Sequence, residues 1–169
     1  MNAPNQNALE ALAADVGALL RGNGQKLATA ESCTGGWVAQ CLTAIVGSSE
    51  WFERGFVTYS NAAKHEMLGV ELAILASHGA VSEGTAAAMA AGALRHSHAD
   101  WALAITGIAG PDGGSPDKPV GTVCFGWARD GERVEVDTRH FTGGREAVRC
   151  QSVDFALKGV LLRARNLKA

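Results

Sequence analysis

Nowhere in this sequence does an uninterrupted apolar run approach the roughly 20 residues needed to span a bilayer, which argues against a transmembrane helix. Charge is sparse and nearly balanced. Charged residues make up 19% of the chain and the formal net charge is −2. That balance speaks against partnership with nucleic acid or an anionic membrane, while leaving room for a local basic pocket. The four cysteines, Cys33, Cys41, Cys124 and Cys150, form no Cys-x-x-Cys pair, and no histidine lies at zinc-finger spacing from two of them. Three read as small core residues. His96 and His98 sit close enough in sequence to chelate a metal, but a polar surface helix end explains them better, so no metal site is expected. Met1 to Asn7 is polar and lacks the apolar core of a signal peptide. The expectation is a soluble, cytoplasmic protein with one domain over residues 1–169, its 47% hydrophobic content being ample for a full core.

What is present is an alternation of helical and strand patterns. Leu9, Leu12, Val16, Leu19 and Leu20 recur at helical spacing until Gly22-Asn23-Gly24 stops them. Residues 26–30 read as a first strand, 35–46 as a helix, 51–54 as a linker or short turn, and 55–60 as a second strand. Asn61 reads as the cap of a short helix over 62–68, followed by helices over 71–78 and 83–96, the last capped by Ser82 and rich in alanine. An apolar strand over 101–106 leads into a Gly/Pro-rich loop. Two β-rich runs, 120–128 and 133–141, flank Asp130-Gly131 as a hairpin. A final helix runs from Arg145 to about Leu162. The pattern predicts an α/β fold: a mixed, mostly parallel central sheet between two helical layers, with the late hairpin supplying one antiparallel strand.

Chemistry concentrates where the first strand turns into a helix, at Ala30-Glu31-Ser32-Cys33-Thr34-Gly35-Gly36. Backbone N–H groups converge at such a turn, so a nucleophile there would have oxyanion donors beside it. A simple Ser or Thr cap with glycines for close packing explains the same residues, and Cys33 is a rival nucleophile. Tyr59 ends the second strand and Lys64 lies just beyond. A right-handed β-α-β unit brings both strand ends to one sheet edge, where Ser32, Tyr59 and Lys64 can meet around a substrate. Near a helix start a lysine is disfavoured as a cation, but only burial would make it a base near neutral pH. An exposed lysine is the plainer alternative. The loop from Thr106 to Ser115, including Gly107, Ala109 and Gly110, lets backbone approach a ligand but matches neither a P-loop nor a dinucleotide fingerprint. Arg145 or Arg149 could pair with a phosphate, or both could face solvent.

Several long motifs in order carry a family resemblance. Residues 30–36, Gly-Phe-Val-Thr-Tyr-Ser-Asn at 55–61 with Lys64, His-Gly-Ala-Val-Ser at 78–82, Thr-Gly-Ile-Ala-Gly-Pro-Asp-Gly-Gly at 106–114 and Lys-Pro-Val-Gly-Thr-Val at 118–123 resemble the CinA carboxy-terminal domain, in its stand-alone form, over about residues 8–165. The resemblance implies a three-layer α/β/α fold, no metal or organic cofactor, and a homodimer. It implies hydrolysis of the carboxamide of nicotinamide mononucleotide to nicotinate mononucleotide and ammonia, in NAD salvage. It also implies Ser32 and Lys64 as a catalytic pair, with Tyr59 as a third catalytic residue that helps the Lys64 ammonium protonate the departing ammonia. Cys33, Thr34, Gly35, Gly36, Thr106, Gly107, Ala109, Gly110 and Arg145 become substrate-binding candidates. Two other readings remain: amide hydrolysis of a different nucleotide-like substrate, and a catalytically silent binding module linked to competence or DNA damage.

Overall fold

The computed structural model describes residues 4–165. Residues 1–3 and 166–169, which belong to the expected domain and to its polar start, lie outside the described residues. The described elements run in the order α1 (Gln6–Asn23), β1 (Leu27–Glu31), α2 (Trp37–Thr43), a 3-10 turn (Ser48–Glu50), β2 (Phe52–Val57), α3 (Asn61–Leu68), α4 (Leu72–His78), α5 (Glu83–Arg95), β3 (Trp101–Gly107), β4 (Thr122–Arg129), β5 (Glu135–His140) and α6 (Arg145–Arg165). No described helix is long and apolar enough to cross a membrane.

The five strands form one sheet in the order β2-β1-β3-β4-β5. β1 pairs in parallel with β2 and with β3, whereas β4 is antiparallel to both its neighbours. Only β4 therefore runs against the rest, as the hairpin predicts. Side-chain alternation along each strand separates two cores. Leu27, Leu103, Ile105, Phe125 and Trp127 pack toward α1, α2 and α6. Ala30, Ala102, Ala104 and Ala128 face the opposite way, toward α5 and its Met89, Ala90 and Ala93. Small residues on that face bring the alanine-rich helix close to the sheet. At Gly126 an added Cβ would lie 2.6 Å from the Ala86 carbonyl oxygen.

Three boundaries differ from the sequence expectation. The supposed linker at 51–54 is the start of β2, disguised because Glu53-Arg54 breaks the apolar pattern. The register skips Glu53, with Leu27 opposite Phe52 and Ala28 opposite Arg54, a bulge at the sheet edge where charged side chains are tolerated. Helix α2 begins at Trp37, because Gly35 and Gly36 take left-handed φ values of +61° and +96° and form a turn instead. Finally, Ser60 and not Asn61 caps α3: its hydroxyl accepts the Ala63 N–H at 3.0 Å.

The end of α3 depends on one glycine of α5. A Cβ on Gly92 would lie 2.1 Å from the Leu68 carbonyl oxygen. Replacing a helical glycine by alanine normally gains about 1 kcal/mol, but overpacking against rigid backbone costs about 1–3 kcal/mol or more. Gly92→Ala is thus expected to lower the thermal midpoint, by on the order of 5 °C, as read by calorimetry. A raised midpoint would contradict this packing account.

Candidate active site

Strands β1, β2 and β3 end together, Glu31 lying opposite both Val57 and Ile105. Ser32 extends β1 by one residue, donating its N–H to the Ile105 carbonyl. Strand alternation points Glu31 toward the α2 side and Ser32 toward the α3 side. There Lys64, the fourth residue of α3, meets it. Lys64 Nζ donates to Ser32 Oγ and to the Thr58 carbonyl oxygen, both at 2.9 Å. The lysine is 1% exposed, and no carboxylate among the described residues is bonded to it. Burial pulls its pKa below the ordinary lysine value, opposed only by the neighbouring Cys33 sulfur.

The turn after Ser32 is held by a group that the sequence reading passed over. Glu31, 1% exposed, accepts the N–H groups of Gly36 (3.2 Å), Val38 (3.0 Å) and Ala39 (2.9 Å). Its carboxylate caps α2 from outside the helix, where negative charge also suits the dipole. Arg149 fixes the same turn from the other side, donating to the carbonyls of Cys33 (3.1 Å) and Thr34 (2.9 Å) while lying over the Trp37 ring. Gly35 N–H goes to the Ser32 carbonyl and Trp37 N–H to that of Thr34. Cys33 and Thr34 are left with N–H groups that meet no acceptor among the described residues. Of the four N–H groups that residues 33–36 offer on paper, these two are therefore the ones not already engaged.

Cys33 is a poor rival to Ser32. Burial pushes its thiol up to about 12, and the Glu31 charge acts in the same direction. The thiolate needed for attack is therefore scarce.

Ser32, Cys33, Tyr59 and Lys64 line a cavity of about 240 Å³. Thr106, Gly107, Ala109 and Arg145 complete the expected residues on its wall. Thr106 Oγ1 donates to the Ala80 carbonyl at 2.7 Å, pinning the segment that brings Ala80 and Val81 over the site. Arg145 bridges the mouth, donating to the Gly110 carbonyl (2.8 Å) and to the exposed Tyr59 hydroxyl (2.9 Å). Gly35 and Gly36 are not on that wall; with Arg145, Gln6, Trp37 and Arg149 they line a neighbouring cavity of about 530 Å³. Thr34 and Gly110 line neither. Thr34 is buried with its hydroxyl unpaired, and Gly110 contributes its carbonyl to Arg145. His96 is away from this edge, its Nδ1 2.9 Å from the Gly92 carbonyl.

Sequence reasoning missed Glu31, Asn61, Ala80 and Val81 as members of this site. For Glu31 a signal existed: strand parity sends it opposite to Ser32, toward the helix that follows. The segment 79–82 lies in the motif at 78–82, but Ala80 and Val81 carry no reactive group that would mark them as cavity residues; Thr106 holds the Ala80 carbonyl there.

Comparison with known proteins agrees with the motifs. The family model of the CinA C-terminal domain matches residues 9–164. The nicotinamide-nucleotide amidohydrolase PncC of Escherichia coli strain K12 is 56% identical over 149 residues, 87% of this chain and 89% of that protein. PncC of Enterobacter agglomerans is 52% identical over 157 residues, 93% of this chain and 96% of that protein. Among solved structures, the competence/damage inducible protein CihA of Agrobacterium tumefaciens superposes with a TM-score of 0.89 at 43% identity, covering 98% of this chain and 99% of that one. With its five-stranded mixed sheet, its serine-bearing turn and its match over nearly all described residues, this chain belongs to the CinA C-terminal domain family.

Proposed function

We propose that this chain hydrolyses the carboxamide of nicotinamide mononucleotide, releasing ammonia and nicotinate mononucleotide, in pyridine nucleotide salvage. The observation that carries the reading is the 2.9 Å contact between Ser32 Oγ and a buried Lys64 that has no carboxylate partner among the described residues. Relatives named nicotinamide-nucleotide amidohydrolase support the substrate.

In this reading neutral Lys64 takes the proton of Ser32 as Oγ attacks the amide carbon. The Cys33 and Thr34 N–H groups receive the oxyanion. The Lys64 ammonium then returns its proton to the departing nitrogen, which leaves as ammonia from a seryl ester. Water, deprotonated by the again neutral amine, attacks that ester, releasing the acid and restoring Ser32. Thr106, Gly107 and Ala109 wall the base, while Tyr59 orients Arg145 toward the phosphate. Gly35 and Gly36 shape the outer side of the turn. No metal or organic cofactor enters this chemistry, and the protein acts as a cytoplasmic homodimer without nucleic-acid or membrane partners.

Ammonia release from nicotinamide mononucleotide tests the assignment directly. Ser32→Ala is expected to lose about 10⁴-fold or more in kcat, and Cys33→Ala to stay within about tenfold of wild type. Retained turnover in the serine variant, with loss confined to the cysteine variant, would make the thiol the nucleophile.

The pH dependence follows from the direction of the Lys64 shift. Activity requires the neutral amine, so kcat/KM should rise with pH along a limb centred below the ordinary lysine value near 10.4. Lys64→Arg should remove activity throughout, since guanidinium does not deprotonate. Stability should carry the same signature. Between the folded and unfolded lysine pKa values the unfolded chain holds a proton that the folded one has shed, so stability rises with pH. Lys64→Met, followed by denaturation across that window, should show no such slope.

Glu31→Gln supplies an amide N–H where backbone N–H groups need acceptors. A loss of about 1–3 kcal/mol in unfolding free energy is expected, with a fall in kcat larger than any change in KM. Unaltered kcat would show that the Glu31 cap does not set the oxyanion donors.

A further inference from the structure

One side chain on the wall of the Ser32–Lys64 cavity has no structural duty. Asn61 is the first residue of α3, and Ser60 already supplies the cap. Asn61 forms no side-chain hydrogen bond with any described residue, although asparagine brings both an acceptor and donors. Its position three residues before Lys64 puts both side chains on one face of the helix.

The hydrogen-bonding needs of a primary carboxamide define what Asn61 can do there. The substrate oxygen is provided for by the N–H groups of Cys33 and Thr34. Its two N–H bonds need acceptors, and most of those around the cavity are engaged. The Thr58 carbonyl receives Lys64, the Ala80 carbonyl Thr106, the Gly110 carbonyl Arg145, and the Cys33 carbonyl Arg149. The Tyr59 oxygen also receives Arg145. The Asn61 Oδ1 is the free side-chain carbonyl.

Resting on the amidase reading above, we infer that Asn61 Oδ1 accepts a hydrogen bond from the carboxamide nitrogen of the substrate. It thereby fixes which face of the carbonyl meets Ser32 and selects an amide over groups that lack an N–H. The product carboxylate has no proton to offer, so its fit against Oδ1 is poorer and its departure is favoured.

A paired-substrate measurement tests this. The rates of wild type, Asn61→Ala and Asn61→Asp are compared on nicotinamide mononucleotide and on the methyl ester of nicotinate mononucleotide, which lacks the N–H. The ratio of kcat/KM on amide to that on ester divides out changes in Ser32 activation, because both reactions use the same base for attack, and comparing the two pH profiles identifies any change in the Lys64 ammonium's proton delivery to nitrogen. Asn61→Ala should lower that ratio about five- to tenfold, with ester turnover showing that the variant is folded. Asn61→Asp, which keeps an acceptor oxygen, should hold the ratio within about twofold of wild type. An equal loss on both substrates, or no loss on either, overturns the role of Asn61. If wild type releases no ammonia from the mononucleotide, the amidase reading falls and takes this inference with it; wild-type turnover with an unchanged ratio sinks the inference alone.

Discussion

Burial of the Lys64 amine without a carboxylate is the constraint on which the rest of the structure depends. A lysine that is 1% exposed, bonded to a serine hydroxyl and a peptide carbonyl, is held where its charged form is costly. Removing an ammonium ion from water costs several kcal/mol even after relaxation. The usual remedy is a counter-ion, but no carboxylate among the described residues is bonded to this amine, and burial lowers its pKa. The surrounding fold keeps the side chain buried. The close approach of α5 to α3 at Gly92, and the alanine face of the sheet behind it, leave little space for water around the Leu68 and Val70 end of α3.

The two residues at the end of β1 divide structure from chemistry because a strand alternates its faces. Glu31 turns inward to the start of α2 and Ser32 outward to Lys64. Three N–H groups on the Glu31 carboxylate offset the cost of burying its charge. One of them, the Gly36 N–H, belongs to the turn itself. The same charge, like burial of the sulfur, pushes against a Cys33 thiolate. Sulfur in this place behaves as a small buried side chain.

Much of the architecture was legible because it follows from spacing. The helix between two strand-like runs foretold the parallel pairing of β1 and β2, and Asp130-Gly131 foretold the reversal into β5. The proximity of Ser32 and Lys64 was legible only as a shared sheet edge. Sequence could not show that the amine is buried, since residues beside it, such as Ala80, Val81 and Thr106, lie far along the chain. Ser60 and Asn61 are both good caps, and nothing local chooses between them; the extended backbone of Ser60 does (φ −99°, ψ 164°). Glu31 stayed hidden because helix caps are sought within one turn of the helix, whereas this one reaches α2 from the strand. The bulged start of β2 was masked by its own charges.

The two arginines at the start of α6 show how near-identical sequence signals separate in space. Residues four apart share a helix face, and either could have been the anion-binding one. Arg149 is committed to the carbonyls of the nucleophile turn and to the Trp37 ring, so moving it would loosen the geometry around Ser32. Arg145 is exposed, and its partners are a peptide carbonyl and the hydroxyl of an exposed tyrosine. Those neutral partners are weaker than an anion would be. A cavity of about 240 Å³ is smaller than the roughly 300–1,000 Å³ that encloses a drug-sized ligand. Under the proposed function, a nucleotide whose base filled it would carry its phosphate outward past Arg145, toward the larger cavity bordered by the same side chain. Glu146 on that cavity's wall would oppose an anion, favouring the Arg145 side. In that reading the buried Lys64 and the exposed Arg145 serve opposite ends of one substrate, with the Tyr59 hydroxyl accepting from Arg145 at the mouth between them.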